Sequence, residues 1–286
     1  VKQIFEGIAV EAEMAIQSAA YVFDDNSREI ERLETQARAI APEAAWLLDS
    51  IGVQPGWKAA DIGCGPIGIL DLLAQRVGAS GAVVGIERDK RFFDIERSVI
   101  APHGLHNVRM VLGDALTVEL EPASFDLVHE RLLLINVPVA NQKAIVDRML
   151  ALLKPGGTIA LQDYDRISYA CYPEHPSWTA LSNAYREAFE ANGGTISTGR
   201  SLPRLLRDAG VQNISTKVHA AITERGDIRR MDALAMLEAL HTKILTLGRF
   251  SPREFAAHKQ ALVEHLSDPD TLIVERLLVQ AWGTKP

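Results

Sequence analysis

Cysteine is scarce. Cys64 and Cys171 are the only two in 286 residues, too few for a disulfide-stapled scaffold or a zinc site built from four cysteines. A reduced, cytoplasmic setting is the expectation. Long apolar runs are missing too: none approaches the ~20 residues a membrane-spanning helix needs. The first residues lack a basic-then-apolar leader pattern, because Glu11 and Glu13 interrupt the apolar stretch from Ile8 to Ala20. Positive charge is in deficit, with 30 Lys and Arg against 37 Asp and Glu and a formal charge of −7. Neither nucleic acid nor an anionic membrane is therefore an expected partner. The one notable basic cluster, Arg225, Arg229 and Arg230, reads as a solvated helix face. Internal repeats and low-complexity linkers are absent.

What is present is an ordinary globular balance, 47% hydrophobic and 23% charged. The chain is organised around Asp61-Ile62-Gly63-Cys64-Gly65-Pro66-Ile67-Gly68. A short strand from Lys58 to Asp61 precedes this stretch, and a helix from Ile67 to Arg76 is predicted after it. Glycines let the backbone turn tightly and approach a ligand. The free N–H groups and the positive dipole end of the helix favour electron-rich groups. Further strands are predicted at Ala82–Glu87, Asn107–Leu112, Ser124–Val128 and Thr158–Gln162. Helices at Asp89–Ile100 and Gln142–Leu153 alternate with them, the second stopped by Lys154-Pro155-Gly156-Gly157. Such alternation predicts an α/β fold, a doubly wound, mostly parallel sheet with helices on both faces.

Before this core, Asn26 and Glu29 fit a capping box opening a helix through Ile30, Leu33 and Ala37. A second helix runs from Pro42 to Ile51. After it, residues 166–178 read as a loop, and helices are predicted at Trp178–Asn192, Leu202–Ala209, Met231–Leu247 and Pro252–Leu266. Val211–Ile222 and Leu272–Gly283 read as the last two strands. The expected organisation is a helical lid (1–40), a Rossmann-like cofactor-binding core (41–165), and the remaining strands with a helical substrate cap (166–286).

Five segments in order, Asp61-x-Gly63-x-Gly65-x-x-Gly68, Glu87, Gly113-Asp114-Ala115, Phe125-Asp126-Leu127-Val128 and Leu153-Lys154-Pro155-Gly156-Gly157, resemble the class I S-adenosylmethionine-dependent methyltransferases. The resemblance covers roughly residues 40–165 and is nearly silent about substrate. It implies a seven-stranded sheet, S-adenosyl-L-methionine as cofactor and S-adenosyl-L-homocysteine as product. It also implies roles. Asp61 would orient the loop or the donor's ammonium, and Gly63, Cys64 and Gly65 would line the methionine portion. Glu87 would hold the ribose diol, with Arg88 beside it, while Asp114 and Ala115 would hold the adenine. Asp126 reads as a fold residue and Gly68 as a packing one. His129 would lie near the sulfonium, as a base or a positioning group, and Glu130 and Arg131 read as pairing with each other or with neighbours. Tyr21 would cover the cofactor, and Phe23, Asp163, Tyr164, Asp165, Tyr169 and Trp178 would face the acceptor.

The Asn/Asp-Pro-Pro-aromatic signature of nucleobase and glutamine methyltransferases is absent; His129-Glu130-Arg131-Leu132 stands there instead. Glu130, Asp163 and Asp165 lie where some O-methyltransferases hold a metal, but the ligand spacing does not match and no metal is expected. The expected activity is methylation of oxygen or carbon in a small organic molecule, a secondary metabolite for example. The competing readings are an NAD(P)-dependent oxidoreductase, which shares the glycine loop and the acid, and a non-methylating protein on the same fold. An exposed N-terminal helix would offer a surface for a homo-oligomer.

Overall fold

A computed structural model of the chain describes residues 27–66, 68–100 and 104–286. Tyr21, Phe23 and Asn26, and with them the lid aromatics and the capping box, lie outside the described residues. Helix α1 (Ser27–Ala39) and helix α2 (Ala41–Ile51) lead into the sheet. Its strands are β1 (Lys58–Ile62), β2 (Ala82–Glu87), β3 (Val108–Leu112), β4 (Phe125–Arg131), β5 (Leu153–Asp165), β7 (Gln212–His219) and β10 (Leu277–Thr284). They lie in the order β3-β2-β1-β4-β5-β10-β7. Strands β1 to β5 are parallel, and β10 runs antiparallel to both β5 and β7.

The central strands are buried on both faces, which explains their near-continuous apolar runs. On one face, Leu47 and Leu48 of α2 and Leu70, Leu73 and Val77 of α3 (Leu70–Val77) pack on Ala59, Val83 and Leu127. On the other, Ile145, Val146 and Met149 of α5 (Val139–Leu152) and Leu202 and Leu206 of α7 (Leu202–Asp208) cover Ala60, Val128, Ile159 and Ala281. Each fully buried Leu or Ile contributes about 1.5–3 kcal/mol. Helix α4 (Lys90–Ile100) joins β2 to β3. The strand order reverses between β1 and β4, so a crevice opens at the carboxyl ends of the strands, where open α/β sheets bind ligands.

Over that edge sits a second unit of packing. Helices α6 (Pro176–Glu190), α8 (Asp232–Ala239), α9 (His241–Thr246) and α10 (Pro252–Ser267) bury Trp178, Leu181, Phe189, Leu237, Ile244 and Phe255 together. A small sheet, β6 (Ala170–Tyr172), β9 (Leu272–Val274) and β8 (Ile222–Thr223), completes it in the order β6-β9-β8.

Here the structure departs from the sequence reading. Residues 166–178 are not all loop, because Ala170–Tyr172 pairs with Leu272–Val274. The single last strand divides at Glu275-Arg276, two buried charged residues whose side chains turn towards the cap. Val211–Ile222 likewise divides into β7 and β8. The helix read over Met231–Leu247 breaks at Leu240, whose φ of −109° and ψ of 8° leave the helical region. The glycine loop delays α3 to Leu70. Arg230 is not on a solvated face: it is buried and donates to the carbonyls of Leu266, Thr271 and Asp268, while Arg229 pairs with Asp227 at 2.6 Å.

Candidate active site

The β1–α3 turn makes the floor of the site. Gly63 has a φ of 67°, and a Cβ there would lie 2.8 Å from Leu133 Cδ1, so only glycine fits. Gly65 has a φ of 66° and no heavy atom within 4 Å of its Cβ position, which leaves a bare stretch of backbone open to a ligand. At the end of β2, Glu87 accepts from the Gly65 N–H at 2.9 Å and from the Asp89 N–H at 2.7 Å. Burial raises its pKa against the pull of these hydrogen bonds. Asp114 follows β3, where its Oδ1 accepts from the Leu116 N–H at 2.8 Å and Arg88 lies 3.6 Å away.

Asp61 and His129 stand side by side on β1 and β4, as their register dictates, with Oδ1 and Nδ1 2.7 Å apart. The chain of polar groups continues across the sheet. His129 Nε2 meets the Gln162 amide nitrogen at 2.6 Å, and Gln280 Nε2 donates to Gln162 Oε1 at 2.7 Å. Gln280 Oε1 lies 2.9 Å from His219 Nε2. One set of protons satisfies every link: His129 donates to the carboxylate through Nδ1 and accepts from Gln162 through Nε2. His129 is wholly buried and both its ring nitrogens are engaged.

A single cavity runs from the glycine loop, Glu87 and Asp114 to the cap, where Tyr164, Arg166, Tyr185, Phe189, Met236 and Arg276 line it. Arg32, Gln36 and Ile40 of the α1 segment close one side. Leu132, also in the lining, holds a φ of 58°, the left-handed region that a branched side chain rarely adopts. Its carbonyl accepts from the Asn136 amide at 2.7 Å.

The cavity thus gathers Asp61, Gly63, Cys64, Gly65, Glu87, Arg88, Asp114, Ala115 and Tyr164 from the residues read in the sequence. Others stand elsewhere. His129 lies behind Asp61 and is not in the lining. Asp163 and Asp165 point away from it because side chains alternate along β5. Asp163 accepts from the Ile135 N–H at 3.0 Å, and Asp165 pairs with Arg200 at 2.5 Å. Glu130, on that same side of the sheet, accepts from Leu133 N and Leu134 N at 3.0 and 3.4 Å, so it does not pair with Arg131. Burial raises the pKa of both Glu130 and Asp163, with repulsion from Asp61 adding to the rise at Glu130 and repulsion from Glu130 adding to it at Asp163. Tyr169 and Trp178 pack on each other in the cap, ring centroids 4.8 Å apart, outside the lining. Asp126 ties Lys58 N (2.8 Å) to Lys154 Nζ (2.6 Å), a fold role. The described residues hold no group of three metal-ligating side chains.

Sequence reasoning missed Arg166 and Arg276 and gave Arg131 only a pairing role, whereas Tyr185, one of the cap aromatics expected to form a closed pocket, lies in the lining. The period of two was the available signal for Arg131: it shares a strand face with His129, as Tyr164 does with Gln162.

Comparison with known proteins agrees with this geometry. A family model described as a methyltransferase domain matches residues 54–210, more than half of the chain. A demethylmenaquinone methyltransferase of Listeria monocytogenes serotype 4a is 31% identical over 133 residues, which is 46% of this chain and 53% of that protein. The chain spans about half the length of the curated relatives it matches. Among solved structures, a putative methyltransferase from Bacillus halodurans superposes with a TM-score of 0.56 at 17% identity, covering 85% of this chain and 98% of that one. A phosphoethanolamine N-methyltransferase of Haemonchus contortus, solved with S-adenosylhomocysteine, gives 0.51 at 17%, covering 82% and 49%. A cofactor of this kind fits the residues present: the bare Gly65 backbone and the Glu87 carboxylate face one cavity with Asp114. The sheet order, the loop and the family model together identify the chain as a member of the methyltransferase domain family, with the class I fold that takes S-adenosylmethionine.

Proposed function

We propose that the chain transfers the methyl group of S-adenosylmethionine to oxygen or carbon of a small organic acceptor. The observation that carries this reading is the continuity of the cavity, which joins the glycine loop to an aromatic, cap-covered end. The cofactor supplies a methyl already activated by the sulfonium, so that an acceptor lone pair forms the new bond as the carbon–sulfur bond breaks and a neutral thioether leaves. The protein's part is binding, alignment and exclusion of water. Glu87 accepts from the ribose hydroxyls, Asp114 and the Ala115 N–H take the adenine, and the Gly63–Gly65 backbone takes the methionine portion. Asp61, held by His129, faces the ammonium group.

The acceptor end has no histidine and no carboxylate free of a partner in its described lining. The chemistry this supports is attack by an acceptor that is already nucleophilic, without a general base from the protein. Cover from α1 and the cap favours a small molecule over a macromolecule. The test is formation of S-adenosylhomocysteine from S-adenosylmethionine across a panel of carboxylates, acidic phenols and 1,3-dicarbonyl compounds, which lose their proton to water before they bind. Acceptor-dependent turnover with a mass gain of one methyl supports the reading, and binding of cofactor with no turnover on any member contradicts it.

A further inference from the structure

The cavity is electrically lopsided. Its lining carboxylates, Asp61, Glu87, Asp89 and Asp114, all belong to the cofactor end. The rest of the lining carries Arg32, Arg131, Arg166 and Arg276. Arg276 is neutralised: Asp232 lies 2.6 Å from it and Glu275 3.8 Å. Arg166 is different. Among the described residues no carboxylate lies within ion-pair distance of it, and its guanidinium stacks 4.6 Å from the Tyr169 ring centroid and 4.8 Å from that of Tyr185. Arg131 donates to the Gly68 carbonyl at 2.8 Å, yet its Nη1 is buried with no hydrogen-bond partner. A buried donor left unpaired is costly, so a site of this kind gains by receiving an acceptor atom.

Two guanidinium groups that, among the described residues, have no carboxylate within ion-pair distance, one of them lying against the Tyr169 and Tyr185 rings, constitute an anion subsite beside an apolar wall of Ile135, Phe189, Ile196 and Met236. Arginine suits this task, because its planar fork matches a carboxylate or a phosphate with two parallel hydrogen bonds and keeps its charge when buried. Resting on the methyltransferase reading of the cavity, we propose that the acceptor is an amphipathic organic acid, whose carboxylate or phosphate is held by Arg166 at the cap end. Tyr169 and Tyr185 fix the guanidinium plane, and Arg131 supplies the positive potential between the anion and the glycine loop. Specificity then arises at the cap rather than at the sulfonium, since a neutral analogue leaves the Arg166 guanidinium without an ion-pair partner.

The test uses the full chain saturated with S-adenosylhomocysteine, titrated calorimetrically with octanoate, octyl phosphate and octanamide at low and at moderate salt. The prediction is that one or both acids bind at least tenfold more tightly than the amide, and which acid binds better tells carboxylate from phosphate. In Arg166→Gln the preference disappears while affinity for S-adenosylhomocysteine is unchanged, which also reports that the variant is folded. Arg166→Lys keeps part of the preference. Binding of S-adenosylhomocysteine with acids no better than the amide overturns the proposal, as does a preference that survives in Arg166→Gln. Failure of S-adenosylhomocysteine itself to bind overturns the methyltransferase reading beneath it.

Discussion

Glu87 does two jobs at once: it caps the Gly65 and Asp89 N–H groups, and it presents a carboxylate to the cavity. Its substitution Glu87→Gln removes the charge from the hydrogen bonds proposed for the ribose, each charge-assisted bond being worth about 1.5–3 kcal/mol. Calorimetry should show affinity for S-adenosylhomocysteine falling at least tenfold, with the fold intact by circular dichroism. Gln162 is the hub of the polar chain, meeting both His129 and Gln280. Gln162→Leu leaves buried groups on both neighbours unpaired, at about 1–3 kcal/mol for each. Urea unfolding should register that loss, and a change below about 0.5 kcal/mol would show that the chain of hydrogen bonds is not a support. The third prediction concerns pH. Burial pushes Glu130 up to about 8 from an ordinary value of 4.5, so between those limits the folded chain keeps a proton that the unfolded chain has released. Stability should therefore decline as pH rises from about 4.5 to about 8 and level off above. Asp163, raised in the same direction, adds to the decline. A melting temperature followed across this window checks the sign, and the slope should shrink in Glu130→Gln.

At the scale of elements, the site is a meeting of five strand ends, one loop and a cover. Asp61 and His129 meet because β1 and β4 pair in register, and Gln162 meets Gln280 because β5 and β10 do. The cover is helical and amphipathic. Ile40 of the α1–α2 junction and Tyr185 and Phe189 of α6 reach the cavity while the opposite sides of those helices face solvent. Helix α10 lies further out and is fixed by a full capping box, in which Ser251 Oγ accepts from Glu254 N and Glu254 accepts from Ser251 N at 2.8 Å. Ser251→Ala should cost about 1 kcal/mol of stability and leave cofactor affinity unchanged, since α10 contributes nothing to the cavity lining. A drop in affinity would show that the cap transmits its packing to the cofactor end.

For the whole molecule, the alternation of strand and helix over 57–165 and the acid ending the second strand were legible because they are local. A parallel, doubly buried sheet needs near-continuous apolar runs, and a tight turn beside a ligand needs glycine. The order of the sheet and its antiparallel β10 could not be read locally, yet they separate this chain from a dinucleotide-binding oxidoreductase, whose six-stranded sheet runs 3-2-1-4-5-6. The cap was the least legible part. Its strands are two or three residues long, its helices break at Leu240, and its charges pair across 44 positions between Asp232 and Arg276. Asp163 and Asp165 stand outside the cavity lining for one reason: strand alternation turns them, with Glu130, to the face that supports the turn at Leu134–Asn136 and the pairing with Arg200.

The central claim is that the glycine loop, Glu87 and Asp114 form a site for S-adenosylmethionine. Its most direct test is a calorimetric titration of the purified chain with S-adenosylhomocysteine, with NADH as the comparison ligand. The account predicts one-to-one binding of S-adenosylhomocysteine in the micromolar range and none of NADH. A preference for NADH, or no binding of either, would contradict it.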